Sequence, residues 1–231
     1  MIVATDVELR AGAQLLLSQA SFRVGKGDRV GLVGRNGAGK TTLTKALAGE
    51  TLPTNGSIHS TGSVGYLPQD PRSGDPDELA RDRILSTRGL QDVVRRMQEA
   101  SMAMDTQDPD ERERIVARYA RAEAEFEALG GYAVESQAAS IAASVGLDDR
   151  ILGQPLGTLS GGQRRRVELA RILFSGAEVL LLDEPTNHLD ADSIRWLRKF
   201  LGAYEGGFIV ISHDTELLHD TVNKVWHLDA N

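Results

Sequence analysis

Apolar positions along this chain follow two periods, and the change from one to the other divides it into three parts. Over residues 1–70 they alternate with polar positions or form short unbroken runs, both of which are strand signals. Ile2 to Leu9 alternates, and Leu15–Leu17, Ser21–Val24, Ser57–His59 and Val64–Leu67 are further short strand candidates. Asp28 to Val33 predicts a buried strand, Leu43 to Ala48 a helix stopped by Gly49, and Pro53, Asn55 and Gly56 a turn. From Pro71 the period becomes helical. Leu90, Val93, Val94 and Met97 keep one stripe, Asp105 to Asp110 breaks it at Pro109, and Ile115, Tyr119, Ala122, Phe126 and Leu129 resume it until Gly130-Gly131. A helical hairpin over about 88–130 follows, with its tip near Asp108-Pro109 and its narrow stripes packed on each other. Helix continues through Ser136 to Val145.

Beyond Pro155 strand and helix alternate again. Val179–Leu182 and Phe208–Ile211 are wholly apolar, as parallel strands covered on both faces require. Ser193–Leu201 predicts a helix between them, and Lys224–Leu228 a last strand. The expected architecture is an α/β core in two parts, residues 1–70 and 156–231, with a mostly parallel sheet, helices on both faces and an N-terminal antiparallel β subdomain. A helical subdomain, residues 71–155, is inserted between the parts.

Composition narrows the function more by exclusion than by assignment. At 231 residues, 41% hydrophobic and 26% charged, the chain is an ordinary globular one with room for a real core. No apolar run reaches the roughly 20 residues of a membrane helix, so direct membrane insertion is not expected and a cytoplasmic location is. Absence of cysteine removes disulfides and thiolate metal sites, and five scattered histidines propose no zinc constellation. A net charge of −7 argues against general binding to DNA or other nucleic acid.

The strongest chemical signal is Gly34-Arg35-Asn36-Gly37-Ala38-Gly39-Lys40-Thr41-Thr42, which fits G-x-x-x-x-G-K-[ST] between a predicted strand and a predicted helix. Glycines let the backbone wrap a polyphosphate so that successive N–H groups converge on its oxygens, and the helix N-terminus adds donors and partial positive charge. Lys40 can reach β- and γ-phosphates, and the Thr41 hydroxyl can ligate Mg²⁺. Asn-Gly is also a hairpin signal, but a hairpin leaves Lys-Thr at the head of a helix unexplained.

Three other stretches carry less specific signals. Asp183-Glu184-Pro185 ends an apolar strand at the edge where open α/β sheets bind ligands. There Asp183 could hold Mg²⁺ through water and Glu184 could orient or deprotonate an attacking water; alone, the tripeptide is better read as a capped turn. Leu159-Ser160-Gly161-Gly162-Gln163 opens a helix with a hydroxyl and unpaired backbone donors, an anion site or simply an N-cap. Ser212-His213-Asp214 follows a buried strand of the same sheet, which raises His213 above the usual structural histidine.

In this order the pieces resemble the ATP-binding cassette (ABC) ATPases along almost the whole chain: Walker A at Gly34–Thr41, Q-loop at Gln69, signature at Leu159–Gln163, Walker B at Val179–Glu184, a D-loop ending in Leu189-Asp190, and the switch histidine His213. The resemblance implies an ATPase with ATP and Mg²⁺ as ligands and two cassettes paired head to tail. Lys40 and Thr41 of one would hold the nucleotide while Ser160 and Gly162 of the other close over the γ-phosphate. Gln69 would touch metal and attacking water, Glu184 would polarise that water, and His213 would sense the γ-phosphate. One departure is Ala11-Gly12, where the family commonly has an aromatic that stacks on adenine; its loss should weaken base preference without abolishing binding.

The D-loop Pro185-Thr186-Asn187-His188-Leu189-Asp190 and the long interval from Gln69 to Ser160 resemble the ABC-F subfamily, soluble two-cassette proteins that act on ribosomes and carry an arm in the first cassette. The stop at Asn231, just after the last core strand, gives the expectation of an isolated N-terminal cassette, its partner a second cassette from a longer chain or another copy. Charge does not identify the arm as an RNA-binding element, since residues 71–135 hold ten arginines and fifteen acids, although Arg114, Arg118 and Arg121 share a helical face. The competing function is the ATPase subunit of a membrane transporter. A DNA-repair ATPase ranks third, lacking its zinc cysteines and long coiled coils.

Overall fold

The computed structural model describes residues 1–12, 14–69 and 74–229, arranged in two compact units. One takes Met1–Arg72, Ser144–Gly146 and Gly176–Asn231, the other Ser73–Ala143 and Leu147–Ser175. The expected boundary at 70/71 lies outside the described residues. The expected return to the core at 156 is corrected: Leu147–Ser175, with the signature motif, groups with the helices.

In the first unit a three-stranded antiparallel sheet, order β2-β1-β4, consists of β1 (Ile2–Ala11), β2 (Gln14–Val24) and β4 (Asn55–Ser60). The inward set of β1 is Ile2, Ala4, Val7 and Leu9, so its parity changes between residues 4 and 7. A register shift there, with Asp6 at φ 49°, supplies the extra residue that a bulge needs to keep apolar side chains on one face. Gln19, also at φ 49°, marks a similar irregularity in β2. Leu15–Leu17 and Ser21–Val24, expected as separate strands, are therefore one strand, because a bulge disturbs the alternation without breaking the pairing.

A five-stranded sheet, order β5-β6-β7-β3-β8, is parallel throughout: β3 (Arg29–Gly34), β5 (Val64–Leu67), β6 (Val179–Asp183), β7 (Gly207–Ile211) and β8 (Lys224–Leu228). Every residue of β6 and β7 is buried, which is why neither run alternates. Helices α1 (Lys40–Leu47), α8 (Ala191–Ala203) and α9 (Thr215–Thr221) belong to this unit, and Leu43, Leu47, Leu197, Leu201 and Leu217 are buried. The core joins Ile2, Val7 and Leu9 of the antiparallel sheet to α1 and to Val30, Leu32, Val179, Leu181 and Ile209. Because all five strands are parallel, the residues that follow Gly34, Leu67, Asp183, Ile211 and Leu228 emerge at one edge. That edge is the ligand edge of open α/β sheets.

The second unit is helical. It comprises α2 (Ala80–Leu85), α3 (Leu90–Met102), α4 (Pro109–Ala128), α5 (Gly131–Ser144), α6 (Asp149–Leu152) and α7 (Gly161–Phe174), α5 ending at the unit's margin. The hairpin is α3 and α4. Asp108 caps α4 by accepting from the Asp110 amide, and Pro109 occupies the first turn, where no amide donor is needed. Leu90, Val93, Val94 and Ala100 are buried with Ile115, Ala122 and Phe126, and Arg96 pairs with Glu125 across the two helices at 2.8 Å. Met97 and Tyr119 are half-buried, and Leu129, beyond the last turn, is exposed.

Candidate functional site

The phosphate-loop motif forms the turn from β3 into α1, and its conformation explains its glycines. Gly34 has φ 154°, and a Cβ there would lie 2.4 Å from the Leu228 carbonyl oxygen of the neighbouring strand. Gly39 caps α1 at φ 94°, where a Cβ would lie 2.5 Å from Leu16. Only glycine meets both demands. The Lys40 ammonium donates to the carbonyls of Gly34 (2.7 Å) and Arg35 (3.0 Å), so it is folded back into the loop it follows. Thr41 Oγ1 donates to Asp183 Oδ2 at 2.7 Å, which ties the first turn of α1 to the end of β6.

Glu184 follows at φ 51°, a left-handed conformation that a non-glycine residue adopts only when its surroundings impose it. Its amide donates to the Ile211 carbonyl at 2.8 Å, continuing the β6–β7 pairing by one residue. Its carboxylate accepts from the His213 amide at 3.4 Å, and His213 Nε2 lies 3.5 Å from Oε1. Burial raises the Glu184 pKa above the usual carboxylate range; nearby His213, with its amide hydrogen bond, opposes this and neighbouring Asp183 adds to it. The histidine itself is exposed.

These groups line one cleft of about 530 Å³ at the carboxyl edge of the sheet. Of the residues expected at a nucleotide site, Asn36, Gly37, Gly39, Lys40, Thr41, Thr42, Gln69, Asp183, Glu184 and His213 border it. Gly34, Arg35 and Ala38 complete the loop without bordering the cleft. Ser160, Gly161, Gly162 and Gln163 lie in the helical unit at the start of α7. There the Ser160 hydroxyl accepts from the Gln163 amide while the Gln163 side chain accepts from the Ser160 amide, a reciprocal capping box. The cleft also takes in Ala11, Thr186, Asn187, Ile211 and Asp214. Thr186 and Asn187 belong to the D-loop and Asp214 follows the switch histidine, but none of these, nor Ile211, is expected from the motifs to border the nucleotide; what brings them in is their place at the ends of β6 and β7.

The model of a family described as ABC transporter matches residues 17–187, a span that holds the phosphate loop, Gln69, the signature and Asp183-Glu184. The chain belongs to the ABC transporter family. It is that family's ATPase cassette, and it is similar over 229 residues to the uncharacterized ABC transporter ATP-binding protein YfmM of Bacillus subtilis, at 34% identity over 97% of this chain and 44% of the relative. It is 35% identical to the tylosin resistance ATP-binding protein TlrC of Streptomyces fradiae, over 97% of this chain and 41% of that protein. The cassette thus spans less than half the length of these curated relatives. Among solved structures, the dimeric post-hydrolysis state of the ATP-binding cassette MJ0796 bound to ADP and Pi matches the whole cassette, covering 97% of that chain, with a TM-score of 0.67 at 17% identity, a likeness of fold. Among the described residues no helix is long and apolar enough to cross a membrane.

Proposed function

We propose that this cassette binds ATP with Mg²⁺ and hydrolyses it as one half of a head-to-tail sandwich with a second cassette. The observation that carries the proposal is the cleft, where a glycine-rich loop, Lys40, a Thr41–Asp183 pair, a buried carboxylate and His213 meet at one sheet edge. The donor set fits the ligands. The loop offers backbone amides and an ammonium to phosphate oxygens, with Arg35, Asn36, Ala38 and Thr42 contributing to the loop. Thr41 and Asp183 offer hard oxygens, with Gln69 beside them, for a divalent cation that takes its remaining ligands from phosphate and water. Mg²⁺ there would neutralise charge on the transferred phosphoryl group. Glu184 would accept a proton from the attacking water and His213 would hold the Glu184 carboxylate in position. Ser160, Gly161, Gly162 and Gln163 would present hydroxyl and helix N-terminal donors to the nucleotide of the partner cassette.

The ATPase belongs, in this proposal, to a two-cassette ABC-F protein of the cytoplasm. The unit with the phosphate loop and Asp183-Glu184 would be its first cassette's ATP-binding core, the helical unit with the signature its insertion, and the hairpin over 88–130 its arm. The D-loop sequence, the hairpin and the twofold-longer relatives support this, and the tylosin resistance named for TlrC makes antibiotic resistance the role to test first. Co-sedimentation with ribosomes in the presence of ATP tests the subfamily assignment; copurification with a membrane protein instead would support a transporter subunit.

Turnover should be second order in the cassette. The rate per chain is expected to rise in proportion to chain concentration and to be slow when dilute, since each site lacks a partner's signature. A rate per chain that is brisk and independent of concentration would remove the sandwich.

Ala11 borders the cleft where the resemblance places an adenine-stacking ring. Parent ATP and GTP affinities are therefore expected to agree within a few-fold. Ala11→Tyr should tighten nucleotide binding by roughly 1–3 kcal/mol, the worth of one stacked base. Isothermal titration with both nucleotides checks this; an unchanged affinity would place the base elsewhere.

A further inference from the structure

Outside the cleft, the helical unit buries the Glu168 carboxylate, halfway along α7 and only 4% exposed as a residue. Arg83 of α2 donates its Nε–H to Oε1 at 2.7 Å, and Arg171, one turn further along α7, donates to Oε2 at 2.8 Å. Arg83 also lies 3.9 Å from Glu78, which accepts from Gln91 of α3 at 3.1 Å. Neither guanidinium is more than a fifth exposed.

A second set of bonds joins the same two regions through the backbone. Leu156 N–H donates to the Glu78 carbonyl (2.9 Å), Gly157 N–H to that of Pro76 (2.8 Å), and Ala80 N–H to that of Gln154 (3.0 Å), with Leu79 and Pro155 bridged antiparallel. Gly157 fits closely, since a Cβ there would meet Pro76 at 3.1 Å. The segment that leads into the signature is thus laced to the segment that leads into α2. Three residues later the chain enters Ser160, and the Arg164 guanidinium holds the Leu159 carbonyl at 2.9 Å.

Buried ion pairs of this kind usually add little net stability, because desolvation offsets their attraction; their best-attested use is to fix register. An apolar contact between α2 and α7 would let α7 slide or rotate, whereas the directed Nε–H···O bond from Arg83 of α2 fixes its height, and the Arg171 bond within α7 keeps the carboxylate turned to receive it. We propose that Glu168 is a positioning residue: with Arg83 it locks α7 against α2 and so sets the direction in which Ser160, Gly161 and Gly162 point. The inference rests on the signature acting on a partner's nucleotide, as proposed above, but its structural half can be measured in a single cassette.

The test replaces all three charged groups by apolar ones of similar volume, Arg83→Met, Glu168→Leu and Arg171→Met. The expected result is a folded chain with a melting temperature near the parent's and unchanged ATP affinity. Hydrogen exchange at the Leu156, Gly157, Gln163 and Arg164 amides should be at least about tenfold faster, with β6 amides unchanged. At saturating ATP and high chain concentration, kcat should fall at least about tenfold with little change in KM. A stable triple variant with parent exchange at those four amides, or with parent kcat, would overturn the proposal. Should the triple variant not fold, Glu168→Gln, which keeps shape and one acceptor, is read by the same exchange and kcat measurements against the same criteria. Failure of the sandwich itself shows separately, as a parent rate per chain that does not rise with concentration while the exchange difference persists.

Discussion

Replacing Glu184 by glutamine should lower ATP turnover by about 10²–10⁴-fold, the usual contribution of a general base, while ATP affinity stays within a few-fold of the parent's. Glutamine keeps the shape of the side chain and its acceptor for the His213 amide, but it cannot take a proton. In a complete sandwich the expected consequence is accumulation of ATP-bound dimers, read by size-exclusion chromatography with ATP and by phosphate release. A variant that hydrolyses at the parent rate would remove Glu184 from the chemistry. The raised pKa gives this a pH dependence. The base is active only when ionised, so parent turnover should climb as pH rises through a value above the ordinary carboxylate range, and the variant should lack that limb. The stability sign follows from the same shift: folding raises the pKa, so the proton is held more tightly in the folded state and ionisation at higher pH costs stability. Glu184→Gln should therefore be at least as stable as the parent near neutral pH, which separates lost chemistry from lost fold.

Much of this was readable from the residues, for identifiable physical reasons. β6 and β7 were legible because full burial leaves unbroken apolar runs, and the α3–α4 hairpin because Asp108-Pro109 is both a cap and a break. The phosphate loop was legible because its glycines, lysine and threonine are each forced by local geometry, Gly34 by the Leu228 carbonyl and Gly39 by Leu16. What could not be read depends on contacts between distant segments. The continuity of β2 hides behind a bulge at Gln19, and the grouping of residues 147–175 with the helices goes with bonds from residues 154–157 and Glu168 to residues 76–83. Asn187 and Asp214 border the cleft through the ends of β6 and β7, a neighbourhood that spacing along the chain does not encode. Glu168 is the sharpest case. In Arg164-Arg165-Arg166-Val167-Glu168, sequence alone suggests a solvated charged face, yet Arg165 and Glu168 are among the buried residues.

That burial sets the second large effect. Glu168→Ala should destabilise the helical unit by about 3–5 kcal/mol, the cost of breaking a buried pair by removing one partner. Alanine leaves Arg83 and Arg171 with Nε–H donors aimed at nothing, in a site where water has little access, and their mutual repulsion is no longer screened by a carboxylate between them. At roughly 2–4 °C per kcal/mol for a chain of this size, thermal unfolding should begin about 6–20 °C earlier, followed by circular dichroism and by loss of protection at α2 and α7 amides. The apolar triple replacement removes the same charges together and leaves no unpaired donor, so it should recover most of the loss. If Glu168→Ala cost no more than about 1 kcal/mol, the value of an exposed ion pair, the network would be a surface decoration of α7 and its claim on the signature's geometry would lapse. A large loss for the alanine variant with recovery in the triple variant means instead that the two arginines require the carboxylate, and the fold can do without all three. Retention of such a group in a helix that begins with Ser160-Gly161-Gly162 is then accounted for by register rather than by stability.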